Sequence, residues 1–447
     1  MVKKILLFLL IFAVLLTAVI LIAGNIFAFT PPPQEEITES VAEIPAQSDA
    51  PESFGEITPD PDDPLSPERT PAPEEVLPDP DDPLAPERTP APEVPEGIPS
   101  TPEEMLLTMS LEEKLCQMLF VTPESLTDSG TVTTADKSLM EGLRKWPVGG
   151  IILFGDNLVS RDQTVALTES LQDISLELSD RKLFIGVDEE GGTVARAGDK
   201  LDTTKYDDMA VYGETGDSAK AYEIGTTLAK DLLPLGFNVD FAPVADVLTN
   251  EENTVVSRRS FGSDPEVVSE MVSELIRGLE ENKMLSAAKH FPGHGSTGDD
   301  THDGFAATDV TESDLKDIHL KPFEAAIKAD VPMIMVGHMT LTEIDEEHPA
   351  TLSKKIVTGM LRDELGYEGI IITDAMNMGA IGNNYTIAES TVMAVEAGCD
   401  MLLCVGNVES AVTALLEAVD TGKLTESRID ESVLRILAAK YEYGIME

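Results

Sequence analysis

The stretch from Lys289 to His302 concentrates side chains that can transfer protons and bind polar groups. Lys289 and His290 close an apolar run, so the pattern places them at the end of a short buried strand. Asp300 and His302 lie two residues apart in a loop rich in glycine and threonine, where a carboxylate can orient an imidazole. Three of the chain's six histidines fall in this stretch, which indicates acid–base chemistry rather than an ordinary loop.

A carboxylate follows a second apolar run. Asp374 comes directly after residues 370–373, whose sequence is IIIT. The pattern alone allows two interpretations, a buried capping aspartate or a reactive carboxylate at the open end of a strand.

The histidine spacing raises the question of a metal. His290 and His294 are four residues apart, as in a helical metal-binding pair, but Pro292 and Gly293 between them disfavour a helix. The chain also lacks a glycine-rich phosphate-binding loop, since residues 188–192 (DEEGG) have the wrong spacing and the wrong charge. We therefore expect neither a metal nor another cofactor.

Short apolar runs alternate with amphipathic stretches from about residue 101 onwards, and this predicts an α/β fold, a single (β/α)8 barrel of the TIM type. The predicted strands are residues 118–121, 149–154, 183–188, 237–243, 285–290, 333–337, 370–374 and 401–405. The clearest helical stretches are residues 266–282, 314–329, 354–365, 387–397, 409–420 and 426–443. Active sites of such barrels lie at the carboxyl ends of the strands, and the polar residues named above fall there.

Two segments of different composition precede the predicted barrel. Residues 1–28 contain two lysines followed by a long apolar run, which predicts a signal sequence or a transmembrane anchor. Residues 29–100 are rich in proline and acidic residues, so we expect a disordered linker. Within this linker, residues 59–74 recur almost unchanged at residues 78–93. The catalytic domain is then predicted to span residues 101–447, on the outer side of the membrane or secreted from the cell.

The formal net charge of −51 limits the partners that we expect. A negative field of this size repels nucleic acid and other polyanions. It makes a neutral or weakly charged substrate more compatible with the chain, and we expect a monomer.

Five motifs, taken in chain order, resemble the β-N-acetylhexosaminidase branch of glycoside hydrolase family 3. They are residues 187–196 (VDEEGGTVAR), 238–247 (NVDFAPVADV), 259–262 (RSFG), 289–302 (KHFPGHGSTGDDTH) and 372–374 (ITD). The resemblance implies the barrel fold and a retaining mechanism. In that mechanism Asp374 is the nucleophile, and Asp300 and His302 form the acid/base pair. It also implies that the sugar is bound by Asp188, Arg196, Arg259, Lys289 and His290.

The chain departs from the family pattern at three positions. Glu189 stands where the family usually has glutamine, and we expect it to support Asp188 rather than to contact the sugar. Ala375 stands where a second acidic residue commonly follows the nucleophile. Ser296 replaces a frequent aspartate in the loop that carries the acid/base pair.

The predicted function is that of an exo-acting β-N-acetylglucosaminidase on peptidoglycan fragments or chito-oligosaccharides. Three alternatives stay open at this stage. Two are enzymes of the same family, a β-glucosidase or β-xylosidase and a glycoside phosphorylase. The third is a non-catalytic scaffold that binds the cell wall.

Overall fold

The computed structural model describes residues 99–127, 129–298 and 306–447. The predicted N-terminal segment, residues 1–28, lies outside this range, as does the predicted linker except for its last two residues. Within the described ranges, no helix combines the length and the apolar character needed to cross a membrane. The domain boundary at residue 101 stays a prediction.

Eight parallel strands form the central sheet. They are β1 (Leu119–Val121), β2 (Gly150–Ile152), β3 (Phe184–Val187), β6 (Val239–Asp240), β7 (Leu285–Phe291), β9 (Met333–Val336), β11 (Ile370–Thr373) and β12 (Leu402–Leu403). The sheet order is β11-β9-β7-β6-β3-β2-β1-β12. A parallel bridge between Ile372 and Met401 brings the two end strands together, so the sheet nearly closes into a barrel. The predicted α/β barrel is thereby confirmed, and each predicted strand is present with its ends shifted by a few residues.

Helices precede, separate and follow these strands along the chain. They are α1 (Pro102–Leu107), α2 (Leu111–Gln117), α3 (Lys137–Lys145), α4 (Arg161–Ser179), α5 (Arg196–Lys200), α6 (Met209–Thr215), α7 (Ser218–Leu232), α8 (Pro265–Glu280), α9 (Glu312–Asp314), α10 (Lys321–Lys328), α11 (Gly379–Gly382), α12 (Ile387–Ala397), α13 (Val408–Asp420) and α14 (Glu426–Glu442). Local sequence explains where several of them begin. In α12, for example, the Thr386 side chain accepts the backbone N–H of Glu389 while the Glu389 carboxylate accepts that of Thr386.

Four short strands and two π-helical segments were not predicted. The strands form two small sheets, with β4 (Glu189–Gly191) antiparallel to β5 (Val194–Ala195) and β8 (Ala307–Thr308) parallel to β10 (Thr340–Leu341). The π-helical segments are Leu315–His319 and Lys355–Glu364, inside two of the predicted helices. Strands of two or three residues are too short to give a periodic signal in the sequence.

Three phenylalanine side chains, from β1, from β3 and from directly after β6, pack against one another in the core. Phe120 packs against Phe184 and Phe241, with ring centroids 6.3 and 5.2 Å apart. Glycines on the strands between them make the necessary room, since a Cβ atom on Gly186 would lie 2.8 Å from ring atoms of both Phe120 and Phe241.

Candidate active site

The carboxyl ends of the strands surround a cavity of about 340 Å³. Strands β3 and β11 end directly before Asp188 and Asp374, and β7 carries Lys289 and His290. Six of the eight site residues predicted from the sequence line this cavity: Asp188, Arg196, Arg259, Lys289, His290 and Asp374. The other two, Asp300 and His302, lie outside the described residues.

A buried ion-pair network forms one wall of the cavity. Lys289 Nζ lies 2.7 Å from Asp188 Oδ1 and 2.7 Å from Glu190 Oε1. Glu190 also accepts two hydrogen bonds from Arg259, at 2.7 Å from Nε and 2.8 Å from Nη2. Two carboxylates and two cations thus meet with no net formal charge, and Glu190 connects the two cations.

The protonation states in this network follow from its geometry. Burial by itself would raise the pKa of Glu190, but Arg259 and Lys289 outweigh it and hold that pKa far below its usual value. In the same way, burial would lower the pKa of Lys289, yet Asp188 and Glu190 outweigh it and raise that pKa. Glu190 and Lys289 are therefore both charged at neutral pH.

The carboxylate of Asp246 orients His290. Asp246 Oδ2 lies 2.8 Å from His290 Nδ1, and Oδ1 of the same residue accepts the backbone N–H of His294 at 2.6 Å. Arg259 Nη2 lies 3.3 Å from His290 Nε2, and a guanidinium can only donate. His290 Nε2 is therefore the acceptor, so Nδ1 carries the proton and donates it to Asp246.

Asp374 lies at the end of β11 with its carboxylate partly engaged. Its Oδ1 accepts the backbone N–H of Ala375 at 2.7 Å, and Oδ2 has no hydrogen-bond partner among the described residues. Burial would raise the pKa of Asp374, but nearby His338, the backbone N–H of Ala375 and the Lys289 ammonium outweigh it and keep that pKa below its usual value. Asp374 is thus an ionised carboxylate with one oxygen available to a ligand.

His338 is positioned to support that ionised state. It is fully buried, with Nε2 3.0 Å from the carbonyl oxygen of Ala375 and Nδ1 2.8 Å from Thr351 Oγ1. The Thr351 hydroxyl in turn lies 2.6 Å from the carbonyl oxygen of Gly337, to which it donates its single proton. Both ring nitrogens of His338 are therefore held by oxygen atoms, which fixes the ring beside Asp374.

Arg196 differs from the other cations of the cavity because, among the described residues, it has no ion-pair partner and its buried Nε has no hydrogen-bond partner. The loop that leads to Asp300 and His302 is held at its start, where Asn253 Nδ2 donates to the carbonyl oxygen of His294 at 2.9 Å.

No cluster of three or more possible metal ligands occurs among the described residues.

Three residues of this site were not predicted individually from the sequence: Glu190, Asp246 and His338. Glu190 and Asp246 lie inside the motifs of the family resemblance, yet their roles become visible only through their partners. A carboxylate beside Asp188 was a usable signal for Glu190, because two buried cations at one barrel mouth need more than one anion.

A family model described as the Glycosyl hydrolase family 3 N terminal domain matches residues 110–439. The chain belongs to glycosyl hydrolase family 3. All five motifs of the sequence resemblance fall inside the matched range. The predicted recognition is therefore confirmed, and with it the class of glycoside hydrolases.

Curated relatives and solved structures agree with this membership. Beta-hexosaminidase A of Pseudoalteromonas piscicida is 34% identical over 334 residues, which cover 69% of this chain and 56% of the relative. Beta-hexosaminidase of Nitrosomonas eutropha is 35% identical over 327 residues, covering 70% of this chain and 91% of the relative. A solved glycoside hydrolase family 3 beta-N-acetylglucosaminidase from Paenibacillus sp. str. FPU-7 is 35% identical, with a TM-score of 0.71, over 75% of this chain and 63% of that chain. The chain thus spans little more than half of the first relative and most of the second.

Proposed function

We propose that this protein is a retaining exo-β-N-acetylglucosaminidase, with Asp374 as the nucleophile and Asp300 and His302 as the acid/base pair. The observation that carries the proposal is the state of Asp374. An ionised carboxylate with one oxygen free of described hydrogen-bond partners, at the end of a strand that opens into a cavity, is the group that a covalent mechanism requires. The names of the relatives support the choice of sugar.

In the first step, the free Asp374 oxygen attacks the anomeric carbon and the bond to the leaving oxygen breaks. His302 gives its proton to that oxygen, so the aglycone departs as a neutral alcohol. In the second step, His302 takes a proton from water, which displaces Asp374 from the same carbon. Two inversions give overall retention, and Asp300 holds the imidazole in the orientation that both transfers need.

The ion-pair wall is suited to bind sugar hydroxyl groups. An ammonium has three donors, and two of those on Lys289 are used by Asp188 and Glu190, which leaves one for the sugar. Only Oδ1 of Asp188 is engaged, so Oδ2 can accept a hydroxyl proton. Because these groups are buried, a sugar that lacks a matching hydroxyl would leave them unpaired, and this gives discrimination.

We further propose that the substrate is a peptidoglycan fragment or a chito-oligosaccharide with terminal N-acetylglucosamine. The acidic, proline-rich residues 29–100 and the apolar run before them support a position outside the cytoplasmic membrane, anchored or released. The strongly negative charge supports a substrate that is not itself a polyanion.

The direct test compares chromogenic β-N-acetylglucosaminide, β-glucoside and β-xyloside as substrates. We expect fast turnover of the first alone. Asp374→Ala should stay folded and lose roughly 10⁴-fold or more in kcat. A folded Asp374→Ala variant with substantial activity would remove the nucleophile assignment, and preference for the glucoside would remove the substrate assignment. Release of a sugar phosphate on addition of inorganic phosphate would instead indicate a phosphorylase.

The acid/base assignment needs a separate test because it concerns proton donation. His302→Ala should be severely slowed on a disaccharide, whose leaving group needs a proton. The same variant should lose much less in the glycosylation step with a dinitrophenyl glycoside, whose leaving group departs unaided. Asp300→Ala should follow the same trend more mildly. Equal losses on both substrates in pre-steady-state kinetics would mean that His302 binds the sugar or shapes the loop.

A further inference from the structure

The hairpin formed by β4 and β5 joins two residues that the proposed function assigns to sugar binding. Asp188 precedes β4 and Arg196 follows β5, and Glu189 is paired with Ala195 across the hairpin. The backbone N–H of Arg196 points to the carbonyl oxygen of Asp188 at 3.5 Å, a long contact that contributes little to holding the two strands together.

A side chain provides the stronger connection across the hairpin. Glu189 Oε2 accepts the backbone N–H of Ala197 at 2.6 Å, and Oε1 accepts that of Gly198 at 2.9 Å. The backbone N–H of Glu189 itself donates to Asp240 Oδ1, a fully buried carboxyl, at 3.0 Å. Glu189 is therefore fixed on one side to the barrel and on the other to the residues directly after Arg196.

We propose that Glu189 is a positioning residue that holds Arg196 at the cavity, and that it does so fully only while its carboxylate is ionised. The inference rests on the proposed function, because it treats Arg196 as a ligand of the sugar. Since Arg196 forms no ion pair with a described residue, its place in the cavity depends on its backbone, and Glu189 holds that backbone.

Two acceptors are needed at this position, and only an ionised carboxylate supplies both. A glutamine in the same place would offer one oxygen and would turn an N–H₂ donor towards a backbone N–H. The contact is also close-fitting, since a Cβ atom on Gly198 would lie 3.0 Å from Glu189 Oε1. Glu189 stands where the family usually has glutamine. Its two carboxylate oxygens therefore hold the backbone after Arg196 more firmly than a glutamine side chain can.

The same geometry makes the two hydrogen bonds that Glu189 accepts sensitive to pH. Burial raises the pKa of Glu189 to about 7, although the N–H groups of Gly198 and Ala197 partly oppose it. Among the charged groups around it, Asp199 raises this pKa further and Arg196 lowers it. The other titratable neighbours are Asp188 and Glu190 along the chain, Lys205 beside Gly198, and Asp240 on β6, whose own pKa burial raises well above its usual value. When the pH falls below about 7, the Glu189 carboxyl takes up a proton and loses one acceptor. It then holds the backbone N–H groups of Ala197 and Gly198 less firmly.

Steady-state kinetics on the chromogenic N-acetylglucosaminide between pH 6 and 8.5 test the inference. For the wild type, KM should rise about fivefold as the pH falls through this range, the effect of one lost hydrogen bond. Glu189→Gln should show the higher KM at every pH, without the inflection, and with kcat changed much less than KM. Asp199→Asn is the matched control, because the Asp199 side chain is exposed and takes no part in the hydrogen bonds that Glu189 accepts from Ala197 and Gly198. It should keep the inflection and move it to slightly lower pH.

A second readout does not depend on turnover. In hydrogen exchange at pH 8.5, the amides of residues 197 and 198 should exchange faster in Glu189→Gln than in the wild type, with Asp199→Asn unchanged. Equal exchange in all three proteins, or a Glu189→Gln variant that keeps the wild-type KM profile, would overturn the inference. A different outcome is that exchange behaves as expected while no N-acetylglucosaminide is turned over at any pH. In that case the proposed function fails, and the conclusion that Glu189 holds the backbone of residues 197 and 198 is kept.

Discussion

Glu190 is the carboxylate on which the buried charge network depends, and its removal gives a quantitative test of the site. Its side chain is 2% exposed, and its partners Lys289 and Arg259 are 3% and 14% exposed. Glu190→Gln keeps the shape but removes the charge, so among the described residues Lys289 keeps Asp188 as an ion-pair partner and Arg259 keeps none. Breaking a buried pair in this way costs roughly 3–5 kcal/mol of unfolding free energy, because an uncompensated charge stays buried.

The measurement is urea unfolding at pH 7.5, compared with a matched variant at an exposed pair. Glu409 and Lys145 lie 3.1 Å apart but are 64% and 57% exposed, so Glu409→Gln should cost far less than Glu190→Gln. The pKa of Glu190 is held low in the folded state, so its contribution is fully present above about pH 4.5 and is lost only as the pH falls further. Similar losses of unfolding free energy in the two variants would refute the description of Glu190 as a buried, ionised carboxylate that bridges two cations.

Three further predictions concern other parts of the barrel. His338→Gln should raise the pKa of Asp374, since the opposing imidazole is gone, and should move the acidic limb of the kcat/KM profile to higher pH. Burial raises the pKa of Glu280 to about 7, so stability should fall as the pH rises from 4.5 through 7, by at most roughly 1.4 kcal/mol per pH unit, and Glu280→Gln should flatten this fall in urea titrations. Gly186→Ala should cost about 1–3 kcal/mol in the same unfolding assay, because the added Cβ meets the aromatic rings around Phe120; an unchanged midpoint would contradict that packing.

The barrel was predictable because its strands are short apolar runs that end in polar residues. The run before Asp374 and the run that leads to Lys289 gave both the strand and the position of its functional residue. Six predicted residues accordingly meet in one cavity. Periodicity could not fix the exact strand ends, since hydrogen bonding to neighbouring strands decides them; β6, for instance, is two residues long where a run of seven was predicted.

Sequence patterns could not predict the hydrogen-bond and ion-pair partners of these residues. Glu190 pairs with Arg259 across 69 positions, and Asp246 orients His290 across 44. Which carboxylate meets which cation is decided by the packing of separate βα units, and no local spacing encodes it. Glu189 shows the same limit, because its supporting role was expected, but its two backbone contacts depend on the turn of the hairpin.

The most direct test of the central claim, a covalent glycosyl-enzyme on Asp374, is to trap that species. A ring-fluorinated N-acetylglucosaminide with a good leaving group should form the adduct faster than water removes it. Intact-mass measurement should then show one added sugar on the wild type and none on Asp374→Asn, and peptide mapping should place the sugar on Asp374. A sugar attached to another residue, or turnover that inverts the anomeric configuration without any adduct, would contradict the mechanism.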